Sequence, residues 1–148
     1  MELSPLDIRI LNILQDDSTL SYRQVAKKAK ASAVTVMKHI HKMEKEKIIK
    51  KYGALVDYEK LGYEVSVIVD IRISKGKLFQ LEKKIASHPN VFAVYDNTGA
   101  FDVTAIAKFR SRSSMDKFLK TLQSWEFVER TETKLILNTI KEEGMAVG

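Results

Sequence analysis

Cysteine is absent from this 148-residue chain, and its absence excludes disulfides, catalytic thiols and thiolate zinc sites together. No run of about 18 apolar residues occurs, so the sequence predicts no membrane span. Residues 1–5 have neither a basic head nor an apolar core, so we expect no export signal and a cytoplasmic protein. At 45% hydrophobic residues the chain is too apolar for disorder, and its length suits one medium domain or two small ones.

Groups suited to catalysis are also scarce, because the chain has only three histidines. His39 and His41 are two positions apart, so on a helix they diverge by about 200° and cannot chelate one metal. His88 has no acid nearby in sequence, and Asp96 and Asp102 flank a turn, where carboxylates more often cap backbone than form an acid–base pair. We therefore predict that the protein is not an enzyme and needs neither a cofactor nor a metal.

Positive charge is abundant and unevenly distributed, with a formal net charge of +6. Residues 1–52 hold eleven Lys or Arg against six Asp or Glu, whereas residues 53–148 hold fourteen against thirteen. Within residues 20–51 the imbalance is ten against two. A basic module joined to a near-neutral one suggests that the first module binds a polyanion. A lysine-rich solvated helix surface has the same composition, so charge alone leaves both interpretations open.

Residues 1–50 show three short helical patterns. Ser4, Ser21 and Ser32 each stand where a side chain can cap the N-terminus of one helix. The turn between the second and third helices, residues 29–31, is far too short for a flexible linker. Two helices joined by so tight a turn, the second of them basic, predict a helix-turn-helix DNA-binding domain over residues 1–50.

A helical wheel divides the third helix into an apolar side and a basic side. With Ile40 at the centre of the buried side, four residues lie near it: Ala33, Val36, Met37 and Met43. Thr35, Lys38 and Lys42 point the opposite way. Short polar and cationic groups of this kind suit base edges and phosphates.

Residues 51–63 include apolar side chains at irregular spacing, among them Tyr52, Leu55 and Val56. We predict a linker segment that pairs in a dimer, because a free linker would be polar. Residues 64–140 follow in the order strand–helix–strand–strand–helix–strand, with strands over 65–73, 91–97 and 101–109 and a last strand within 125–140. Helices are predicted over 77–87 and around 115–122.

This order predicts a ferredoxin-like βαββαβ domain over residues 64–140, and therefore an α+β protein, with a tail over residues 141–148. In such a domain both helices cover the same face of the sheet. An apolar sheet face left uncovered is usually covered by a second copy, so we expect at least a homodimer.

Several motifs occur in the order found in archaeal-type Lrp/AsnC, or feast/famine, regulators, and the chain resembles this family over nearly its whole length. The stretch Leu6–Leu11 begins the first helix, and Ile40–Glu44 stands where the family has an apolar-Arg-Arg-Leu-Glu run. Gly99–Asp102 matches the family's Gly-x-x-Asp turn, and Thr131–Thr133 matches its late Thr-x-Thr. Each motif is weak alone, and their joint order is the specific signal.

The resemblance implies a sequence-specific DNA-binding transcription regulator with a RAM-type second domain that dimerises, often assembling four dimers into an octamer. It implies an amino acid effector bound between dimers near the turn, and glutamine is our candidate. The wheel and the resemblance together place these residues at the DNA: Arg23, Lys27, Lys28, Ser32, Val34, Thr35, Lys38, His39 and Lys42. The resemblance places these at the effector: Asn97, Thr98, Gly99, Ala100, Phe101, Asp102, Thr131 and Thr133.

The turn itself allows two interpretations. Gly99 would let backbone amides approach a carboxylate, and Asp102 would receive an ammonium group. Alternatively, Gly99 only forms the hairpin and Asp102 caps its own backbone.

The chain departs from the family at two turns and on the third helix. Lys30 and Lys47 replace usual glycines, and a non-glycine residue at positive φ costs about 1 kcal/mol. His39, His41 and Lys42 replace usual arginines, so bidentate arginine–guanine contacts are not available there.

Two other functions compete with effector-regulated transcription control. One is RNA binding, because an RNA-recognition sheet has the same element order, but Asp102–Thr104 departs from its aromatic pattern and this half is nearly neutral. The other is a DNA-binding oligomer without sequence preference or effector response. We expect no membrane binding, because the third helix lacks a large aromatic or leucine face.

Overall fold

The computed structural model describes residues 1–74 and 76–148. Its elements are α1 (Pro5–Asp16), α2 (Tyr22–Ala29), α3 (Ala33–Lys45), β1 (Val65–Ile73), α4 (Leu78–Ala86), β2 (Val91–Asp96), β3 (Val103–Phe109), α5 (Arg112–Gln123) and β4 (Val128–Leu135). They form two compact units, which we call unit 1 (residues 1–55 and 141–148) and unit 2 (residues 56–140). Among the described residues, no helix combines the length and the apolar character that crossing a bilayer requires.

The three helices of unit 1 begin at the serines expected to cap them. Ser4, Ser21 and Ser32 each accept a hydrogen bond from the backbone N–H three residues later. These caps satisfy N–H groups that would otherwise have no partner at the helix start. The helices enclose one apolar core, formed by Ile10, Leu11, Leu14, Val25, Ala26, Ala29, Val36, Ile40 and Met43. The predicted inner side of α3 is confirmed at the last three of these, whereas Ala33 and Met37 are half-buried.

The turn between α2 and α3 depends on a strained residue. Lys30 has φ +56° and ψ +49°, the left-handed conformation that favours glycine, and Lys47 after α3 has φ +57°. Lys30 ends α2, and its N–H donates to the carbonyl of Ala26. The sequence departure from glycine therefore leaves the backbone conformation in place.

Replacing Lys30 with glycine is expected to raise the free energy of unfolding by about 1 kcal/mol, because glycine adopts positive φ without the Cβ clash. Chemical denaturation in the absence of DNA measures the change. Lys30→Ala is the matched control, since it removes the same charge and keeps the Cβ. Equal stability of the two variants would contradict the assignment of strain to the backbone.

The last residues, expected as a separate tail, pack against α1. The Asn12 side chain donates to the carbonyl of Val147 at 2.9 Å and accepts from its N–H at 2.8 Å. Gln15 donates to the carbonyl of Met145 at 2.8 Å. The Val147 side chain packs against the core of unit 1. This end of the chain is therefore part of the helical unit.

Unit 2 is a four-stranded antiparallel sheet in the order β2-β3-β1-β4, with α4 and α5 packed on the same face. The alternation predicted for the first strand is confirmed, since Val67, Val69 and Ile71 are fully buried. They pack against Leu81 of α4 and Leu122 of α5 in one core. The ferredoxin-like domain is therefore confirmed.

The predicted start of the third strand was wrong because of how the chain pairs there, whereas the last strand falls within its predicted range. The third strand begins at Val103, because the Asn97 N–H donates to the Asp102 carbonyl and closes the preceding residues into a turn. The last strand ends at Leu135, since Leu135 already pairs with Val67 near the start of β1. Residues 51–63 form no strand within the single chain, and residues 58–62 form turns.

Candidate nucleic-acid interface and effector turn

The exposed side of α3 and the end of α2 form a surface of uniform positive charge. Lys38 and Lys42 are exposed one turn apart on α3, and Lys27 and Lys28 are exposed in the last turn of α2. Arg23 is exposed at the start of α2. The sequence has no Asp or Glu between positions 18 and 43, so no carboxylate within this stretch neutralises the surface. Such a surface attracts phosphates at long range.

The first turn of α3 presents small groups at its exposed side. The Ser32 hydroxyl accepts from the Thr35 N–H at 3.1 Å and donates to the Thr35 hydroxyl oxygen at 2.8 Å. Ser32 is therefore engaged as a cap, whereas the Thr35 hydroxyl keeps its own proton for an outside acceptor. Val34 is 58% exposed and offers an apolar tip of the kind that contacts a thymine methyl group.

His39, predicted to read bases, lies against α1 instead. Its Nδ1 is 2.7 Å from Oδ1 of Asp7, a residue only 3% exposed. The same carboxyl group accepts the N–H and the hydroxyl of Ser4 through Oδ2, both at 2.8 Å. His39 thus fastens α3 to the start of α1, and its side chain is only 31% exposed.

The contacts with His39 and Ser4 lower the pKa of the Asp7 carboxyl group. Burial by itself would raise its pKa, but the hydrogen bond from His39, those from Ser4 and the charge of His39 outweigh burial and hold the pKa below the usual 3.8. A lowered pKa means that the carboxylate contributes stability fully above pH 3.8, and loses that contribution as the pH falls through the lower folded value.

Asp7→Asn is expected to lower the free energy of unfolding at pH 7 by about 2 kcal/mol, since a cap and a charged hydrogen bond are both weakened. The difference from the unchanged protein should shrink as the pH falls below 3.8. Denaturation between pH 7 and pH 2 measures it. Asp16→Asn, at the exposed end of the same helix, serves as control, and a pH-independent difference for Asp7→Asn would refute the assignment.

A second contact between helices was not predicted from the sequence. The Tyr22 hydroxyl lies 3.0 Å from Nε2 of His41, and their rings meet edge to face. Tyr22 starts α2 and His41 lies in α3, so the pair joins the two helices of the motif at their exposed border. Nothing local in the sequence signals a pairing across 19 positions.

The predicted effector turn connects β2 to β3. Gly99 has φ +110° and open space where a Cβ would be, so the backbone conformation rather than a close approach requires glycine there. Asp102 is anchored by its N–H to the carbonyl of Ile71 and by Oδ2, which accepts the N–H of Ile73, each at 2.9 Å. One carboxylate oxygen therefore caps the end of β1, a more distant backbone group than the Asp102 backbone of the alternative interpretation. The other oxygen has no bond among the described residues.

The remaining predicted effector residues are divided between the turn and β4. Asn97, Thr98 and Ala100 are exposed, and Phe101 lies 5.5 Å from the guanidinium carbon of Arg130. Thr131 is opposite Ile71, which is itself opposite Val103, so Thr131 lies two strands, or about 10 Å, from the end of the turn.

Both threonines lie on the helix-facing side of β4, as their pairing shows. Thr131 accepts a hydrogen bond from the Gln123 side chain at 3.0 Å. Thr133 is opposite Val69, two residues further from the turn. The structure therefore brings Thr131 to the same end of the sheet as the turn, and leaves Thr133 further away.

A chain of polar contacts leads from the turn across the uncovered face of the sheet. Asn97 donates to the Thr104 hydroxyl oxygen at 2.6 Å, and Thr104 donates to Asp70 at 2.5 Å. Lys134 lies 3.4 Å from the other oxygen of Asp70. These contacts join the turn to β3, β1 and β4. The side chains involved lie on the uncovered face because they alternate along each strand with the side chains that face the helices.

The same face carries apolar side chains that no helix covers. Ile68 and Ile106 are directly opposite each other in the two central strands, and Tyr95 is 57% exposed on β2. Phe92 is 47% exposed beside the Lys108 ammonium group. Aliphatic and aromatic groups placed this way form a surface suited to a second copy. In the described part of the chain, no three His, Asp or Glu side chains converge to hold a metal.

Two family models match the chain. One, described as winged helix-turn-helix DNA-binding, matches residues 3–50. The other, described as the Lrp/AsnC ligand binding domain, matches residues 66–146. The first match covers the three helices of unit 1, and the second covers the sheet of unit 2 and its helices.

Similar proteins and similar solved structures match nearly the whole chain. An uncharacterized HTH-type transcriptional regulator from Pyrococcus furiosus is 41% identical over 143 residues, 97% of each chain. An AsnC family transcriptional regulator from Agrobacterium tumefaciens superposes with a TM-score of 0.89 at 28% identity, covering 97% of this chain and 95% of that one. A transcriptional regulator from Neisseria meningitidis, solved as a complex with L-Met, gives a TM-score of 0.89 at 22% identity, covering 99% and 97%.

Proposed function

This chain belongs to the Lrp/AsnC family of transcription regulators, and from that premise we propose that it binds specific DNA sequences and responds to an amino acid effector. The observation that carries the proposal is the outer side of α3, where Lys38 and Lys42 are exposed and Thr35 is half-buried beside its cap Ser32. The named relatives are regulators rather than enzymes, and we propose no catalytic role.

In the proposed complex, α3 enters the major groove. Lys27, Lys28 and Lys42 neutralise phosphates and supply most of the affinity, while Val34 and Thr35 contact base edges. Lys38 stands between these two groups and contributes to both. Two copies related by a two-fold axis would place their α3 helices in successive grooves, with half-sites about 34 Å apart or a multiple of that spacing.

We propose that two chains pair through the uncovered sheet face, with residues 51–63 joining the contact. The support is the apolar surface formed by Ile68, Ile106 and their neighbours, together with the exposed apolar side chains Leu55, Val56 and Leu61 in residues 51–63, which form no strand in one chain. Assembly of four such dimers into an octamer belongs to the same proposal, and the contact between dimers would lie near the effector turn.

The effector is proposed to be an amino acid, and glutamine remains our candidate. Its ammonium group would meet Oδ1 of Asp102, the oxygen that does not bond Ile73, and its carboxylate would meet backbone N–H groups of the turn around Gly99. The complex of the Neisseria relative with L-Met supports this chemistry by analogy, since a free amino acid binds that protein.

Ligand binding can change DNA binding only if it favours one assembly over another. The contacts from Asn97 through Thr104 to Asp70 provide a physical route, because they connect the turn to the face proposed to pair. A ligand that reorients Asn97 would release the Thr104 hydroxyl and so alter the polar surface presented to the second copy. The effector would then act on assembly and, through helix spacing, on DNA.

Asp102→Asn tests this function, because the amide keeps an acceptor for the Ile73 N–H but loses the negative charge. The affinity for the amino acid effector is expected to fall about tenfold or more, since a charged hydrogen bond is lost. DNA affinity without effector should not change. Isothermal titration with a panel of amino acids, starting with glutamine, measures the affinity for the effector. Fluorescence anisotropy measures the affinity for DNA.

Asp116→Asn is the matched control, since it removes an exposed carboxylate on α5, a helix that carries none of the predicted effector residues. Unchanged amino acid binding in Asp102→Asn would contradict the assigned site. Absence of binding by any amino acid in the unchanged protein would instead favour the second candidate, a DNA-binding oligomer without effector response.

A further inference from the structure

A cleft on the helix-covered side of unit 2 has the composition of a second ligand site. It lies between α4 and α5 and has a volume of about 300 Å³, within the range typical of small-molecule sites. Its apolar wall includes Phe109, Phe118 and Leu122. The described residues that line it include two lysines and a histidine but no carboxylate. The cleft is therefore apolar in its depth and cationic at its edge.

Two lysine ammonium groups border this cleft without a described carboxylate partner. The Lys84 ammonium group lies 4.8 Å from the centre of the Trp125 ring, a cation–π contact that places the charge beside the opening. Lys117, exposed on α5, makes no described ion pair. Because neither charge is neutralised by a described carboxylate, both remain available to an anion.

His88 adds an oriented donor. Its Nδ1 accepts the N–H of Asn90 at 3.1 Å, so the ring proton is on Nε2, and Nε2 has no further partner among the described residues. The ring is held edge to face against Phe118, with 4.9 Å between centroids. This packing fixes the direction in which the Nε2–H donates.

We propose that this cleft binds a small carboxylic acid that has an aromatic or branched apolar body and no ammonium group. The lysines and the Nε2–H of His88 would hold the carboxylate, and the rings of Trp125 and Phe118 would enclose the body. An α-ammonium group would find no carboxylate among the described residues that line the cleft, and the like charge of Lys84 and Lys117 would repel it. The ligand is thus of a different class from the amino acid proposed at the turn.

L-3-Phenyllactate and L-phenylalanine test the proposal, because they differ only by a hydroxyl in place of the α-ammonium group. Trp125 is the chain's only tryptophan and lines the cleft, so its fluorescence, excited at wavelengths these ligands do not absorb, reports occupancy directly. We expect a saturable change with phenyllactate and about tenfold weaker binding of phenylalanine.

The variant Lys117→Ala is expected to weaken phenyllactate binding about tenfold, since one charge-assisted contact is lost. Lys120 is exposed on the same helix and lies outside the cleft, so Lys120→Ala should leave phenyllactate binding unchanged. Asp102→Asn should also leave it unchanged, which separates this site from the effector turn. No saturable response at millimolar phenyllactate, equal binding of both ligands, or equal losses in Lys117→Ala and Lys120→Ala would each overturn the proposal.

Discussion

Replacing both Lys38 and Lys42 with alanine is expected to lower DNA affinity roughly 50-fold at 0.1 M salt, because each lost phosphate contact removes about 0.9 from the slope of log affinity against log salt. The slope should therefore fall by about two. Both residues are exposed on α3, away from the core formed by Val36, Ile40 and Met43, so the fold of unit 1 should persist. Anisotropy titrations at several salt concentrations measure affinity and slope together.

The control for this prediction removes equal charge from the other unit. Lys83 and Lys120 are exposed on α4 and α5, and their double replacement with alanine changes the net charge by the same amount. If affinity depended only on overall charge, both double variants would lose the same affinity. An unchanged salt slope in the α3 variant would show that these lysines do not meet phosphates.

The second large effect concerns assembly. Ile106→Glu is expected to weaken dimerisation more than about 100-fold, because dimerisation would remove the new carboxylate from water at the apolar Ile68–Ile106 pair of the proposed contact. Ile106 lies opposite Ile68 in the two central strands and faces away from α4 and α5, so one copy should still fold. Sedimentation equilibrium across micromolar concentrations measures the dissociation constant.

Phe79→Glu is the matched control, since it introduces the same charge at a 75% exposed aromatic residue of α4. It should leave the dimer intact. The dimer assignment fails if Ile106→Glu sediments as the unchanged protein does, and a different surface would then have to carry the contact. Loss of the dimer should also lower DNA affinity, because binding to two half-sites would no longer be linked.

The elements of both units could be predicted because their signals are local. Serine caps and an apolar spacing of three and four define α1 to α3, and a period of two defines β1. The inner side of α3 follows from the wheel alone, and its burial at Val36 and Ile40 confirms it. Strand ends were less predictable, since they depend on where the neighbouring strand begins.

The contacts that were missed join residues far apart in sequence. His39 pairs with Asp7 across 32 positions. A helical wheel shows on which side of α3 the His39 side chain lies, but not which other helix that side contacts. The tail binds Asn12 through backbone groups of Val147, and backbone groups leave no compositional signal. The bond between Asn97 and Thr104 depends on strand register, which neither local sequence contains.

The most direct test of the account is binding to DNA from upstream of the protein's own gene, compared with scrambled DNA of equal length and composition. We expect the upstream DNA to bind about 1000-fold more tightly or better at 0.15 M salt, with the affinity shifted by one amino acid from a mixed pool. Equal affinity for both DNAs, with no amino acid effect, would contradict sequence-specific regulation and leave a basic DNA-binding oligomer.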